Sequence, residues 1–256
     1  MNRRKPWIRL RALDGRVIFR VLGTLLLLSA PAVWAEGGTP YERTRFGLAH
    51  LGQAGFQGGD AAIQWLGTAF IVDELCTVVT AKHAVEGVPE DGLVLRFLGR
   101  EENKVRTHPA RIVYLSDERD LAFLSFGPTK RTKRWCAAEG FQTIPIRPAG
   151  DRVKLTGEPV IVMGYPALEG RPPRDVPVVR RGGIASAELN WRDQAMLLLD
   201  LTGVPGFSGA PVILEASGEV VGVVYGPGRT DRVYDFEWAT PLTENNLRQA
   251  LGGEEP

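Results

Sequence analysis

The chain of 256 residues is poor in the residue types that build metal and redox sites, with two cysteines, three histidines and three methionines. Neither cysteine is spaced from a histidine as metal ligands are, and no glycine-rich pattern typical of a nucleotide-phosphate site occurs. The sequence therefore predicts neither a metal ion nor another cofactor.

An excess of positive charge is also missing, because 31 lysines and arginines stand against 30 aspartates and glutamates. Residues 1–35 hold seven of the basic and one of the acidic residues, so the remainder has 24 against 29 and a net charge of −5. We therefore expect no nucleic-acid partner. The basic run at 130–134 is interpreted as a solvated loop between two halves of the domain, with an anion site as the alternative.

One long apolar run stands near the N-terminus. Seven basic residues between Arg3 and Arg20 precede an apolar stretch over 21–35 that ends in Ala35. This pattern predicts a signal peptide over 1–35, with export to the periplasm or the extracellular space. The stretch is shorter than the about 20 residues that span a bilayer. An uncleaved anchor is the alternative, and membrane contact is expected only in that case.

The rest of the chain has an all-β pattern. Thirty glycines and eighteen prolines separate short β-branched or alternating runs. These runs lie at 66–72, 77–80, 93–97, 111–115, 121–126, 160–164, 176–180, 195–201, 211–214 and 220–225. A helical pattern is clear only over 244–251, where Thr243 can cap the first turn and Gly252 can end the helix.

Three motifs carry the residue types of nucleophilic catalysis. His83 ends a β-branched run, Asp120 precedes an apolar strand, and Ser208 lies in a Gly-x-Ser-Gly-x-Pro turn. A serine hydroxyl becomes a nucleophile when an imidazole takes its proton and a carboxylate orients that imidazole. The backbone amides of Gly206 and Ser208 are the candidate oxyanion donors. Asp117 is the alternative acid, and an ordinary hairpin turn is the alternative for the serine motif.

Segments 80–83, 120–122 and 206–211 resemble the Thr-Ala-x-His, Asp-hydrophobic-Ala and Gly-x-Ser-Gly-Gly-Pro motifs of chymotrypsin-like (trypsin-like) serine proteases. Over roughly 60–242 the chain is most similar to the bacterial HtrA (Deg) and glutamyl-endopeptidase branches. The resemblance implies an all-β fold of two six-stranded antiparallel β-barrels followed by a short C-terminal helix.

Domain bounds follow from the same resemblance. We expect a protease domain over 36–256, with the first barrel at about 45–127 and the second at about 150–242. A chain that ends at residue 256 is expected to act without a C-terminal PDZ module. The sequence leaves the oligomeric state open.

Two positions depart from the family pattern. Ala210 stands where the family usually has a glycine, a small change that should be tolerated. Phe207 stands where activated trypsins carry an aspartate that pairs with a newly cut N-terminus. Activation by that salt bridge is therefore excluded, and the site must be organised by other means.

The resemblance also implies a pocket for the side chain before the cleaved bond. Its walls are Thr202, Gly203, Val204, Tyr225, Gly226 and Pro227, with residues 238–239 nearby. Trypsin-like cleavage after Arg or Lys needs an aspartate six residues before the serine, where this chain has Thr202. The histidine of glutamate-specific relatives is absent after the 220–224 run. We therefore expect an uncharged pocket that accepts Val, Ala or Leu.

Export would bring Cys76 and Cys136 into an oxidising compartment, where a disulfide between them becomes possible. Two buried free thiols are the alternative. His50 and His108 lack the context of His83 and are interpreted as surface or structural residues.

The function expected from these patterns is an exported serine endopeptidase that acts on protein or peptide substrates. A catalytically silent secreted binding module on the same fold is the alternative. An esterase of the α/β-hydrolase type is disfavoured, because that fold needs a helical pattern and a different chain order of the triad.

Overall fold

The structure is a computed structural model that describes residues 38–57, 60–100, 104–128, 130–167, 176–191, 193–227 and 236–251. The predicted signal peptide and the glycine expected to end the last helix lie outside these residues. Among the described helices, none combines the length and the hydropathy needed to cross a membrane.

Six antiparallel strands form the first barrel. They are β1 (Leu48–Gln57), β2 (Asp60–Ile71), β3 (Val78–Thr80), β4 (Leu93–Leu98), β5 (Val105–Leu115) and β6 (Ala122–Phe126). They close in the order β1-β2-β3-β6-β5-β4, which leaves no unpaired sheet edge. Buried Leu95, Phe97 and Phe126 help to fill the interior.

The second barrel uses six of the eight strands that the described residues form after β6. These eight are β7 (Pro159–Gly164), β8 (Val178–Ser186), β9 (Asn190–Trp191), β10 (Gln194–Ala195), β11 (Leu197–Leu199), β12 (Pro211–Leu214), β13 (Val220–Pro227) and β14 (Glu237–Pro241). The barrel closes in the order β11-β14-β13-β12-β7-β8, while β9 and β10 form a separate hairpin. The predicted fold of two six-stranded antiparallel barrels is confirmed.

A shared apolar layer holds the two barrels together. The outward faces of first-barrel strands contribute Phe70 and Phe123, and those of the second contribute Met163 and Ile213, to one buried cluster. Burial of apolar area at this interface fixes the relative position of the loops at the barrel ends.

The described residues also form three α-helices: α1 (Pro40–Thr44), α2 (Lys133–Ala138) and α3 (Glu244–Leu251). The predicted C-terminal helix is confirmed as α3, where the Thr243 hydroxyl accepts from the Asn246 amide at 3.4 Å. The interpretation of 130–134 as loop was wrong in part, because Lys133 and Arg134 open α2. The hydroxyl of Thr132 caps that helix by accepting from Trp135 N at 3.1 Å.

Short 3₁₀ helices occur at Arg45–Gly47, Lys82–Ala84, Glu90–Gly92 and Arg152–Leu155. A disulfide joins Cys76, two residues before β3, to Cys136 in α2, with 5.8 Å between the Cα atoms. Both residues are buried in the first-barrel core. The two cysteines are therefore a bridge in this structure and not a pair of thiols.

Candidate active site

His83 and Asp120 meet because of strand pairing. Thr80, at the end of β3, pairs with Ala122, at the start of the antiparallel β6. A residue just after β3 and a residue just before β6 therefore lie at the same end of the barrel. Asp120 Oδ2 accepts from His83 Nδ1 at 2.8 Å, and Oδ1 accepts from the His83 backbone amide at 2.8 Å.

This pair is asymmetric in its exposure. The side chain of Asp120 is 11% exposed, whereas that of His83 is 41% exposed. With Nδ1 bound to a carboxylate, the ring is held in the tautomer whose Nε2 is free to accept a proton. The geometry is that of a general base with its orienting acid.

The turn that carries Asp120 is stabilised by a hydrogen bond from Lys82, the residue before His83. Lys82 Nζ donates to the Ser116 carbonyl at 3.0 Å, and the Ser116 hydroxyl accepts from the Arg119 amide at 3.1 Å. Asp117 is exposed and makes no hydrogen bond to His83. The structure therefore pairs Asp120, and not Asp117, with the imidazole.

Ser208 lies in the loop between β11 and β12 of the second barrel. Phe207 beside it is 1% exposed and packs in the core of the second barrel. Burial therefore anchors the loop at the position where activated trypsins have a salt bridge. Gly206 and Gly209 have φ angles of +91° and +84°. A Cβ at Gly206 would collide with the Tyr165 carbonyl oxygen, and one at Gly209 with Thr68 and Thr80. Glycine is required at both positions.

Thr68, in β2 of the first barrel, holds the serine loop in place through hydrogen bonds of its hydroxyl and its backbone amide. Its hydroxyl donates to the Gly206 carbonyl at 2.9 Å and accepts from the Tyr165 amide at 3.0 Å. Its backbone amide donates to the Ser208 carbonyl at 2.8 Å. The sequence-based reasoning did not assign this role, although the Gly-Thr-Ala segment before the histidine was the signal that could have found it.

Two backbone amides of the serine loop make no hydrogen bond within the described part of the chain. Phe207 N donates to the Val204 carbonyl and Gly209 N to the Val224 carbonyl, at 3.2 and 2.8 Å. The amides of Gly206 and Ser208 donate to none of the described residues. The free amides of a serine and of the residue two positions before it can together stabilise an oxyanion.

No hydrogen bond joins the Ser208 hydroxyl to His83 among the described atoms. The Ser208 Oγ lies 3.4 Å from the Tyr225 carbonyl oxygen, and the Tyr225 ring centroid lies 5.2 Å from that of His83. A Cβ at Gly226 would lie 3.4 Å from the same Oγ. β13 therefore passes directly beside the serine.

The expected pocket residues lie on the two segments that flank Ser208. Thr202, Gly203 and Val204 precede the serine in its loop, and Tyr225, Gly226 and Pro227 end β13. The Thr202 carbonyl accepts from the Arg180 guanidinium. A neighbouring acid, Glu237, was not considered in the sequence-based reasoning. Its position opposite Pro227 follows only from strand register.

The other two histidines, His50 and His108, pack against aromatic rings. His50 is 2% exposed and stacks between Trp65 and Tyr165, with centroid distances of 3.8 and 4.8 Å. Burial, with a smaller effect from Arg96, lowers the pKa of His50 to about 3. His108 packs against Phe97 and other aromatic rings of the first barrel. Within the described residues, no cluster of three or more side chains suited to a metal occurs.

A family model named "Trypsin-like peptidase domain" matches residues 67–223 of the chain. The match begins beside Thr68, includes His83, Asp120 and Ser208, and ends in β13. The chain belongs to this family.

Solved structures agree in fold. An HtrA-type protease AlgW with a decapeptide has 17% identity and a TM-score of 0.63, covering 83% of this chain and 65% of that one. The serine endoprotease from Yersinia pestis has 19% identity and a TM-score of 0.57, covering 82% and 62%. This trypsin-like peptidase chain thus spans less than two thirds of either structure. A search of curated proteins finds no match.

Proposed function

We propose that the chain is a serine endopeptidase whose triad is Ser208, His83 and Asp120. The observation that carries the proposal is the 2.8 Å bond between His83 Nδ1 and the half-buried Asp120, beside a serine loop with two free amides. Membership of the trypsin-like peptidase family supports the same reading.

The chemistry follows from these groups. His83 Nε2 takes the proton of the Ser208 hydroxyl as Oγ attacks the peptide carbonyl carbon. The Gly206 and Ser208 amides stabilise the oxyanion, and His83 then gives its proton to the leaving amine. Water, deprotonated by His83, hydrolyses the resulting ester and frees Ser208. Asp120 keeps the imidazole in the required tautomer and stabilises its charged form.

One rearrangement is needed before attack. The Ser208 hydroxyl faces the Tyr225 carbonyl at 3.4 Å and makes no bond to His83. Rotation about the single χ1 bond swings Oγ away from Tyr225 without moving the loop. The loop itself can stay fixed because Thr68 and the buried Phe207 hold it.

Substrates and location are part of the proposal. Protein or peptide substrates are supported by the HtrA-type protease AlgW, whose solved structure is with a decapeptide. Export is supported by the apolar stretch over 21–35 and by the disulfide. If residues 1–35 are removed, the intact mass of protein recovered outside the cytoplasm corresponds to a chain that begins at Glu36. A mass that includes residues 1–35 would favour the membrane anchor.

Covalent labelling by a fluorophosphonate tests the activity and separates the enzyme from a silent binding module. The parent chain should be labelled and should hydrolyse a mixture of peptides. Ser208→Ala should remove the label, and His83→Ala should lower hydrolysis by on the order of 10⁴-fold or more.

Ser217→Ala is the matched control, because Ser217 lies in an exposed turn and bonds only to the Glu219 amide. This variant should keep full labelling and activity. Equal hydrolysis by the parent and Ser208→Ala proteins would disprove the triad. A folded parent chain that neither labels nor cleaves would favour the binding module.

A further inference from the structure

Glu237, the first residue of β14, is an acid that the proposed mechanism does not use. It is 0% exposed, and neither carboxyl oxygen has a hydrogen-bond partner among the described residues. Burial raises the pKa of this carboxyl group to about 8. A buried carboxyl group without a partner is costly, so its presence calls for a group that satisfies it.

Strand register shows which way Glu237 points. On β14, Glu237 and Ala239 are buried while Trp238 between them is partly exposed. Side chains alternate along a strand, so Glu237 shares the barrel-interior face with the core residue Ala239. Its carboxyl group therefore lies inside the second barrel, at the end where β14 begins.

That end of the barrel is the end that carries the serine. Glu237 pairs with Pro227 of β13. Pro227 lies two residues, or roughly 7 Å of strand, beyond Tyr225, whose carbonyl contacts Ser208 Oγ. A side chain inserted beside Ser208 and along β13 would thus have to be long to reach Glu237.

Two groups face the carboxyl group and favour its charged form. The Arg180 guanidinium, from β8, and the backbone amide of Val204, whose contact with the carboxyl group falls short of full hydrogen-bond geometry, both lower its pKa, against the larger effect of burial. Arg180 makes no ion pair with Glu237 and donates instead to the Thr202 carbonyl. The facing positions on β11 and β13, Leu199 and Pro227, carry no charge. Hydrogen-bonding capacity of the acid therefore remains for an incoming donor.

We propose that Glu237 forms the base of the pocket beside Ser208 and selects substrates with arginine or lysine before the cleaved bond. The inference rests on the proposed function and names its substrate class. It revises the expectation of an uncharged pocket, which was drawn from Thr202 and from the absence of a histidine after the 220–224 run. Pocket residues on both sides adjoin the acid, Val204 through its amide and Pro227 through strand pairing.

The proposal has a pH signature. A cationic side chain binds the ionised carboxylate, so below a pKa of about 8 binding must release a proton from Glu237. The preference for arginine should therefore rise with pH, by up to about tenfold per pH unit, and level off above about 8. Citrulline has the shape of arginine without its charge. Any effect of pH on the acyl-transfer step itself is shared by both substrates and cancels in their ratio.

The experiment compares three peptides that differ only in having arginine, citrulline or leucine before the cleaved bond. The parent chain should show a kcat/KM ratio of arginine to citrulline that rises toward pH 8. Glu237→Gln should lower this ratio by roughly 30-fold or more, abolish its pH slope and leave the leucine peptide cleaved. Glu188→Gln, at an exposed acid of the same barrel, is the matched control and should change nothing.

The outcomes separate the two proposals. If the parent is labelled by fluorophosphonate but its ratio is flat with pH, or is unchanged in Glu237→Gln, the pocket proposal is overturned and the proposed function stands. If the parent is neither labelled nor active on any of the peptides, both fail. Should Glu237→Gln not fold, the pH profile of the parent alone decides.

Discussion

The two barrels hold their parts of the candidate site by different means. In the first barrel, the Asp120 carboxylate accepts hydrogen bonds from both the ring and the backbone amide of His83, each at 2.8 Å. In the second, the Ser208 loop is held through its backbone by Thr68 and through the buried ring of Phe207. The base is fixed through both its imidazole ring and its backbone amide by one carboxylate, whereas the nucleophile is fixed through the main chain of its loop and the neighbouring Phe207 ring.

This difference shows where each half can tolerate change. The tautomer of His83 is set by one hydrogen bond, so the part of the site in the first barrel depends on the chemistry of a single acid, Asp120. An oxyanion hole is set by the direction of two amides, so the second barrel depends on backbone shape and on glycine. Substitutions in the two barrels can therefore test the two dependences separately.

The largest effect is expected in the first barrel. Asp120→Asn should lower turnover by on the order of 10⁴-fold at neutral pH, because an amide can stabilise the wrong imidazole tautomer. The measurement is kcat on a peptide cleaved by the parent, together with circular dichroism to verify folding.

Asp117→Asn is the control for this substitution. Asp117 is exposed in the same turn and makes no bond to His83, so its loss should change turnover little. If Asp117→Asn were the more damaging of the two, the acid would have been assigned to the wrong residue.

An intermediate effect is expected in the second barrel. Gly206→Ala should lower kcat by about 10²- to 10³-fold, the usual loss when one oxyanion donor is displaced. The reason is steric, since the new Cβ would meet the Tyr165 carbonyl oxygen at a φ of +91°. Labelling by fluorophosphonate should slow in parallel.

Gly218→Ala is the control that distinguishes general backbone strain at a positive φ from a change in the geometry of the oxyanion hole. Gly218 also has a positive φ, +74°, but a Cβ there meets nothing within 4 Å and the turn is remote from Ser208. The variant should lose some stability and keep its kcat. Similar losses of kcat in both variants would mean that Gly206 acts through general destabilisation and not through the oxyanion.

The comparison also explains what could be predicted from the sequence. His83, Asp120 and Ser208 stand next to β-branched or glycine-flanked strand ends, where a local pattern identifies them. β1 was missed because its ten residues contain no Val, Ile or Thr, and β14 because it is short and contains Glu and Pro. Pairing with neighbours decides such strands more than propensity does.

The interior acid was missed for a related reason. Glu237 lies far along the chain from Ser208, and no local pattern marks it as a pocket residue. Its place follows from the β13–β14 register, which brings it opposite Pro227. The spacing of Thr202 from the serine, in contrast, could be counted directly. Contacts set by register between distant strands are the part that sequence spacing does not reveal.

The smallest effect on activity is expected from the disulfide, which belongs to the first barrel alone. Cys76 and Cys136 are 60 residues apart. A cross-link that closes a loop of that length raises the free energy of unfolding by about 4 kcal/mol, because it lowers the entropy of the unfolded chain. Urea unfolding of the Cys76→Ala/Cys136→Ala protein should show this loss, while kcat stays near the parent value because no bond of His83 or Asp120 involves either cysteine. Non-reducing mass spectrometry of exported protein should find the two cysteines joined. Quantitative alkylation of both thiols without reductant would refute the bridge, and a loss of kcat matching that of Asp120→Asn would mean that the bridge also positions the base.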